Sequence, residues 1–160
     1  MSPSWSGASA LPEAPDLELL VADASVLVEL VVVGRHRDGA DALLSRYAGS
    51  PKLTLISAAH GLIEAISAVR RLVLREDLGP DDGLAAIAWL GELDLVLDAT
   101  AQRARRIWSL RERMSAYDAA YAAAAEGFDV PLVTVDGRLS GACRDAGIAA
   151  ISLDDLVITG

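Results

Sequence analysis

This chain of 160 residues has one cysteine, one lysine and few aromatic residues: three tryptophans, three tyrosines and one phenylalanine. With Cys143 as the single thiol no disulfide can form within the chain, which agrees with a reducing cytoplasm. No apolar run approaches the roughly 20 residues that span a bilayer, so we expect no membrane segment. Residues 1–16 lack Lys, Arg and a long apolar core. They do not resemble a secretory signal, and they predict a flexible leader before one domain at 17–160.

The charge is strongly acidic, with a formal net value of −9. This argues against general nucleic-acid binding through a basic face, although local basic patches stay possible. The positive residues are almost all arginines, which bind phosphate in a bidentate manner better than lysines do. The arginines come in clusters, which either contact phosphate groups or are simply solvated helix faces.

Short apolar segments alternate with helix-like segments along the chain. Five of them are typical of strands: 17–23, 53–56, 93–98, 131–136 and 148–153. Strands that alternate with helices predict a mostly parallel central sheet flanked by helices on both faces, an α/β/α sandwich. In such sheets ligands bind beyond the carboxyl ends of the strands.

Three local patterns predict helix boundaries. Ser57 is expected to cap a long helix, since an apolar periodic stretch follows it. The segment 100–114 predicts one amphipathic helix with Trp108 on its apolar side. Ser115 is expected to be the N-cap of a helix at 116–126, because Ser is a preferred capping residue.

Four acidic residues stand where carboxylates are found at the functional sites of α/β proteins. Asp23 and Asp136 each end an apolar strand and open a helix, Asp118 begins an Ala-rich helix, and Glu64 lies in an apolar stretch. Each has an ordinary alternative as a helix cap, a first-turn acid or a solvated residue. Taken together, they are explained if they surround one or two Mg²⁺ or Mn²⁺ ions, which favour oxygen ligands and promote phosphodiester cleavage.

Three polar residues accompany these acids. Thr134 shares a strand face with Asp136, which places a hydroxyl beside the carboxylate. Ser25 is positioned to stabilise the turn after Asp23. His60 precedes Glu64 by four residues and so shares its helix face. A His–Glu pair alone does not complete a metal site, so a supporting or ordinary role is favoured for His60.

The order of these motifs resembles the PIN-domain family, and closely the toxin ribonucleases of VapBC-type toxin–antitoxin pairs. The resemblance covers about residues 17–157. It is carried by "DASVLVEL" at 23–30, "EAISAVRRL" at 64–72, "SAYDAAYAAAAE" at 115–126 and "LVTVDGRLSGA" at 132–142.

The resemblance implies an Mg²⁺- or Mn²⁺-dependent endoribonuclease toxin that forms a homodimer and is blocked by a cognate VapB-type antitoxin. It puts the catalytic, metal-binding acids at Asp23, Glu64, Asp118 and Asp136. It implies supporting roles for the hydroxyls of Ser25 and Thr134. Arg70 and Arg138 fall on family arginines, and we expect them to contact RNA or the antitoxin.

Two other functions stay open on the sequence. A receiver-like domain phosphorylated on Asp also uses acids at strand ends, but Asp23 has no adjacent acid and the lone lysine, Lys52, is early in the chain. A catalytically silent PIN scaffold would bind a partner without cutting RNA. The antitoxin could dock on apolar residues such as Leu43, Leu44 or Trp108, although core positions are favoured for each. The RNA target, the number of metal ions and the antitoxin are not specified by the sequence.

Overall fold

A computed structural model describes residues 18–49 and 53–157, so the predicted leader lies outside the described residues. Its centre is a five-stranded sheet in which every pairing is parallel, in the order β3-β2-β1-β4-β5. The strands are β1 (Glu18–Ala22), β2 (Leu53–Ala58), β3 (Leu95–Asp98), β4 (Leu132–Thr134) and β5 (Ala150–Ser152).

Helices connect these strands and cover the sheet. They are α1 (Ala24–Val31), α2 (Arg37–Gly49), α3 (Gly61–Leu74), α4 (Pro80–Glu92), α5 (Thr100–Ser109), α6 (Ala116–Phe128) and α7 (Gly137–Asp145). A 3₁₀ turn (Leu153–Val157) follows β5. No helix in the described part of the chain is long and apolar enough to cross a membrane.

The two faces of the sheet bury two separate apolar cores, because side chains along a strand alternate between faces. Leu20 and Ala22 of β1 pack with α1, α2, α3 and α4, whereas Val21 packs with α6 and α7. On β2, Leu55 and Ile56 divide between the two cores in the same way. The α/β/α sandwich predicted from the sequence is therefore confirmed.

The strand order places β1 at the centre of the sheet, between β2 and β4. After β1 the chain extends the sheet to one side through β2 and β3, and then returns to build β4 and β5 on the other side. The carboxyl ends of β1 and β4 therefore flank the point where the strand order reverses, which is where open α/β sheets bind ligands. Asp23 follows β1 at this point, and Asp136 lies two residues after the end of β4.

Three predicted boundaries can be compared with the structure. Ser115 caps α6 as predicted, since its Oγ accepts the Asp118 N–H at 3.1 Å. The prediction for Ser57 was wrong: Ser57 lies within β2, and its hydroxyl donates to the Ala22 carbonyl at 2.9 Å. The helix predicted at 100–114 ends at Ser109, and Trp108 is 70% exposed rather than on a buried face.

Candidate active site

The four predicted acids line one cleft at the carboxyl end of the sheet, with a volume of about 410 Å³. They reach it from the turns after β1 and β4 and from the first turns of α3 and α6. The cleft is lined by Asp23, Ala24, Ser25, Val28, Glu29, Glu64, Ala68, Arg71, Asp118, Tyr121, Val135 and Asp136. Residues distant in sequence therefore form one predominantly acidic site.

Asp23 is the most buried of the four acids, at 4% exposed. Its Oδ1 accepts the Ser25 hydroxyl at 2.6 Å and the Val26 N–H at 3.1 Å, and its Oδ2 accepts the Thr134 hydroxyl at 2.6 Å. Burial raises the pKa of Asp23 above its ordinary value of 3.8, although these hydrogen bonds act in the opposite direction. Asp23 is the N-cap of α1, which was its alternative role in the sequence analysis. A helix cap, however, does not need a carboxylate buried so deeply.

Asp98, at the end of β3, is a second buried aspartate with which Asp23 can be compared. It is 6% exposed, and the Arg103 guanidinium pairs with it at 3.1 Å through Nη2. Among the described residues, no cationic side chain lies within ion-pair distance of Asp23. Buried charges are normally paired or bound to a metal, so Asp23 has the surroundings expected of a cation ligand.

Thr134 and Ser25 link the two strand ends. The Thr134 Oγ1 donates to Asp23 and accepts the Asp136 N–H at 3.0 Å, while Ser25 Oγ accepts the Val135 N–H at 3.2 Å. Both hydroxyls therefore fix the turn after β4 against Asp23. Asp136 caps α7 through Oδ1, which accepts the backbone N–H groups of Arg138 and Leu139 at 2.9 and 3.2 Å.

Asp118 is not needed as a helix cap, because Ser115 performs that role. Its Oδ2 lies 3.3 Å from Nη2 of Arg138, and the same nitrogen lies 3.5 Å from Oδ2 of Asp136. The largely exposed Arg138 guanidinium thus bridges two acids of the cleft. Because the Arg138 guanidinium lies between the two carboxylates, their spacing suits a shared positive charge.

Glu64 extends from α3 and accepts the Tyr121 hydroxyl at its Oε2, at 2.7 Å. The His60 Nε2 lies 3.4 Å from the same oxygen, without the geometry of a hydrogen bond. Burial and the neighbouring Glu64 carboxylate raise the pKa of Tyr121, so its hydroxyl stays protonated and remains a donor. The ring of His60 contacts both Tyr121 and Tyr117, which agrees with a supporting role for His60.

The sequence analysis did not identify three residues that line the cleft: Glu29, Arg71 and Tyr121. Helical spacing could have identified all three. Glu29 follows Ser25 by four residues, Arg71 follows Glu64 by seven and Tyr121 follows Asp118 by three, so each shares a helix face with a predicted site residue. The Oε2 of Glu29 is buried with no hydrogen-bond partner among the described residues.

Arg70, which was expected to contact RNA or the antitoxin, does not line the acidic cleft. It lies along an apolar groove between α3 and α4, together with Leu74 and Leu84. Adjacent helix residues are about 100° apart around the axis, and here Arg70 faces the apolar groove while Arg71 faces the cleft. Contact of Arg70 with RNA or the antitoxin stays a prediction. The arginine of α3 that lines the cleft is Arg71.

The donor set suits a hard divalent cation, since the cleft offers carboxylate and hydroxyl oxygens. Among the residues described, no group of three or more His, Cys, Asp or Glu side chains is placed so that it could hold a metal ion by itself. Mg²⁺ does not require one, because it usually keeps several waters and takes one or two carboxylates from the protein. Coordination of the cation by all four acids, directly or through water, therefore stays a prediction.

A comparison with protein families matches residues 20–145 to the PIN domain. Ribonuclease VapC12 of Mycobacterium tuberculosis is 33% identical over 122 residues, which covers 76% of this chain and 90% of that protein. Among solved structures, PAE2754 from Pyrobaculum aerophilum has a TM-score of 0.62 at 21% identity, covering 92% of both chains. VapBC2 from Rickettsia felis has a TM-score of 0.59 at 16% identity, covering 84% of this chain and 98% of that one.

The fold and the cleft together define an α/β domain with a carboxylate site at the switch point of a parallel sheet. With the match over most of its length, the chain belongs to the PIN-domain family. The receiver-like alternative is thereby removed.

Proposed function

We propose that this protein is a divalent-metal-dependent endoribonuclease and the toxin of a type II toxin–antitoxin pair, acting in the cytoplasm. The observation that carries the proposal is the cleft itself: four carboxylates line it, and the buried Asp23 has no cationic partner in the described part of the chain. The naming of the relative VapC12 as a ribonuclease supports RNA as the substrate.

The roles of the acids follow from their surroundings. Asp23, Glu64, Asp118 and Asp136 would hold Mg²⁺ or Mn²⁺, directly or through water. When bound, such an ion stabilises negative charge on the phosphate oxygens and lowers the pKa of water. Asp23 is the fixed ligand, because three hydrogen bonds hold both of its oxygens. Glu64 is held through one oxygen only, and among the described residues the Asp118 carboxylate contacts only the exposed Arg138.

Ser25 and Thr134 position these ligands rather than the substrate. Each donates its hydroxyl proton to the Asp23 carboxylate, and each also accepts a backbone N–H from the turn after β4. Groups that orient metal ligands in this way fix the geometry of the metal site. Loss of either hydroxyl would loosen Asp23 against Asp136.

The RNA backbone meets two arginines at the edge of the cleft. Arg71 lines the cleft, and Arg138 is largely exposed beside Asp118 and Asp136. A protein of net charge −9 has little general attraction for RNA, so local guanidinium groups and the bound cation must supply it. The Arg138 guanidinium is largely exposed beside the cleft and is thus placed to bind a phosphate of the RNA.

The proposal includes a homodimer and a VapB-type antitoxin that blocks the site. Charge complementarity supports the antitoxin, since an Arg or Lys of the partner would form charge-assisted bonds in this acidic cleft. Exposed apolar surface supports protein contacts: Leu74 and Leu84 lie in the groove between α3 and α4, and Trp89 borders a second groove between α1, α2 and α4. Leu43, by contrast, is fully buried and cannot bind a partner.

The test is incubation of the purified, antitoxin-free protein with total bacterial RNA in Mg²⁺, in Mn²⁺ and in EDTA. We expect a few discrete fragments with either metal and none in EDTA, and mapping of the fragment ends would identify the target RNA. A folded protein that cuts no RNA with either metal would contradict the proposal and favour the silent binding scaffold.

A further inference from the structure

Tyr121 is the largest fully buried side chain in the described part of the chain, and it carries a polar group to the acidic cleft. It is 2% exposed, and it lies on α6 one turn after Asp118. Its hydroxyl reaches across to α3 and donates to Oε2 of Glu64 at 2.7 Å. A single side chain therefore connects the helices that supply two of the four acids.

The surroundings of Tyr121 fix the position of its hydroxyl. The His60 ring lies 4.9 Å from the Tyr121 ring, centre to centre. Gly61 leaves the space that the hydroxyl needs, because a methyl group there would overlap the Ser57 hydroxyl and lie 3.3 Å from the Tyr121 oxygen. The tyrosine has two side-chain torsions, both restricted by this packing, so it is a rigid donor.

Glu64 has the opposite character. Its side chain is 38% exposed, and a glutamate has three rotatable bonds. Within the described residues, its Oε1 has no hydrogen-bond partner, whereas Oε2 meets both Tyr121 and the nearby His60. One oxygen is thus held in place and the other is free at the cleft.

We propose that Tyr121 is a positioning residue that fixes Oε2 of Glu64, so that Oε1 is presented to the divalent cation. The inference rests on the proposed function, because it requires that Glu64 serves a metal. A carboxylate that is oriented before binding loses less side-chain entropy when the cation binds. Partners that orient a metal ligand typically change metal affinity by about 10–100-fold when they are removed.

The experiment is a calorimetric titration of Mn²⁺ into the wild-type protein and Tyr121→Phe, without RNA. We expect the variant to bind Mn²⁺ about 10-fold more weakly. Tyr117→Phe is the matched control, because Tyr117 lies on the same helix and contacts the same His60 ring but is 63% exposed and outside the cleft. It is expected to bind Mn²⁺ as the wild type does.

A second measurement separates positioning from a general structural effect. In a Glu64→Ala background the tyrosine has no side-chain oxygen to orient, so Tyr121→Phe is expected to cause no further loss of Mn²⁺ affinity. Phe fills the same space, and urea unfolding of each variant confirms that it is folded.

The outcomes distinguish the inference from the proposed function. Wild-type protein that binds no Mn²⁺ would overturn the metal site, and this inference with it. If the wild type binds Mn²⁺ but folded Tyr121→Phe binds it equally well, the inference alone is overturned. An equal loss in the Glu64→Ala background would also overturn it, because the effect would then not act through Glu64.

Discussion

Asp118→Asn is expected to lower the rate of RNA cleavage by at least about 100-fold without unfolding the protein. Removing one charged metal ligand costs several kcal/mol of transition-state stabilisation, and about 3 kcal/mol corresponds to roughly 100-fold. Asp118 is the most informative of the four acids for this test. Ser115 caps its helix, and the partner of its carboxylate is the exposed Arg138, so the substitution removes charge from the cleft with little structural cost.

The measurement is single-turnover cleavage of the mapped RNA, with urea unfolding of the same preparation. Asp81→Asn is the matched control, because Asp81 is also an acid in the first turn of a helix but is exposed on α4, away from the cleft. The control is expected to keep the wild-type rate. A folded Asp118→Asn protein that cleaves as fast as the wild type would exclude the acidic cleft as the site of chemistry.

Asp23→Asn is expected to abolish cleavage and yet make the metal-free protein more stable at neutral pH, because burial raises the pKa of Asp23. Asn keeps an oxygen that can cap α1 and accept the Ser25 hydroxyl, but it carries no charge to bury. A substitution that adds stability while removing activity indicates that a buried carboxylate is retained for function.

The sign of this effect follows from the raised pKa of Asp23. Because burial makes ionisation harder in the folded state, the folded protein holds this proton more tightly than the unfolded chain does. Wild-type stability in EDTA therefore falls as the pH rises from about 3.8 through the folded pKa, and the variant lacks this fall. Unfolding by urea at several pH values measures the difference.

Asp98→Asn is the control of opposite sign. Asp98 is equally buried, but it is paired with Arg103, so its loss leaves a partly buried cation unpaired. It is expected to destabilise the protein by about 1–3 kcal/mol while cleavage continues. If Asp23→Asn instead destabilised the metal-free protein, and did so more at neutral than at acidic pH, Asp23 would not be an uncompensated buried charge. That result would contradict this explanation.

Much of the fold could be predicted because the apolar pattern along the chain follows the sheet closely. Each strand is a short apolar run, and the aspartates after β1 and β4 mark where the strands end. The prediction for Ser57 failed because a serine inside a strand can satisfy its hydroxyl with the carbonyl of a neighbouring strand, as it does with Ala22. A local sequence pattern cannot distinguish that long-range bond from a helix cap.

The site was predicted less completely. The four acids are visible in the sequence, but the arginine at the cleft depends on the rotation of α3, which places Arg71 there rather than Arg70. The role of Tyr121 depends on α6 packing against α3, a contact 57 residues apart in the chain. For such partners, helical spacing indicates which face a residue occupies but not what that face meets.

The most direct test of the central claim is the chemistry of the ends produced when the mapped RNA is cut. If the carboxylates hold a divalent cation that serves hydrolysis, water attacks the phosphate, and the ribose 2′-hydroxyl takes no part. We then expect cleavage only with Mg²⁺ or Mn²⁺, no 2′,3′-cyclic phosphate, and continued cleavage when the nucleotide at the cut is 2′-deoxy. Cleavage that persists in EDTA and leaves cyclic phosphate ends would contradict the account.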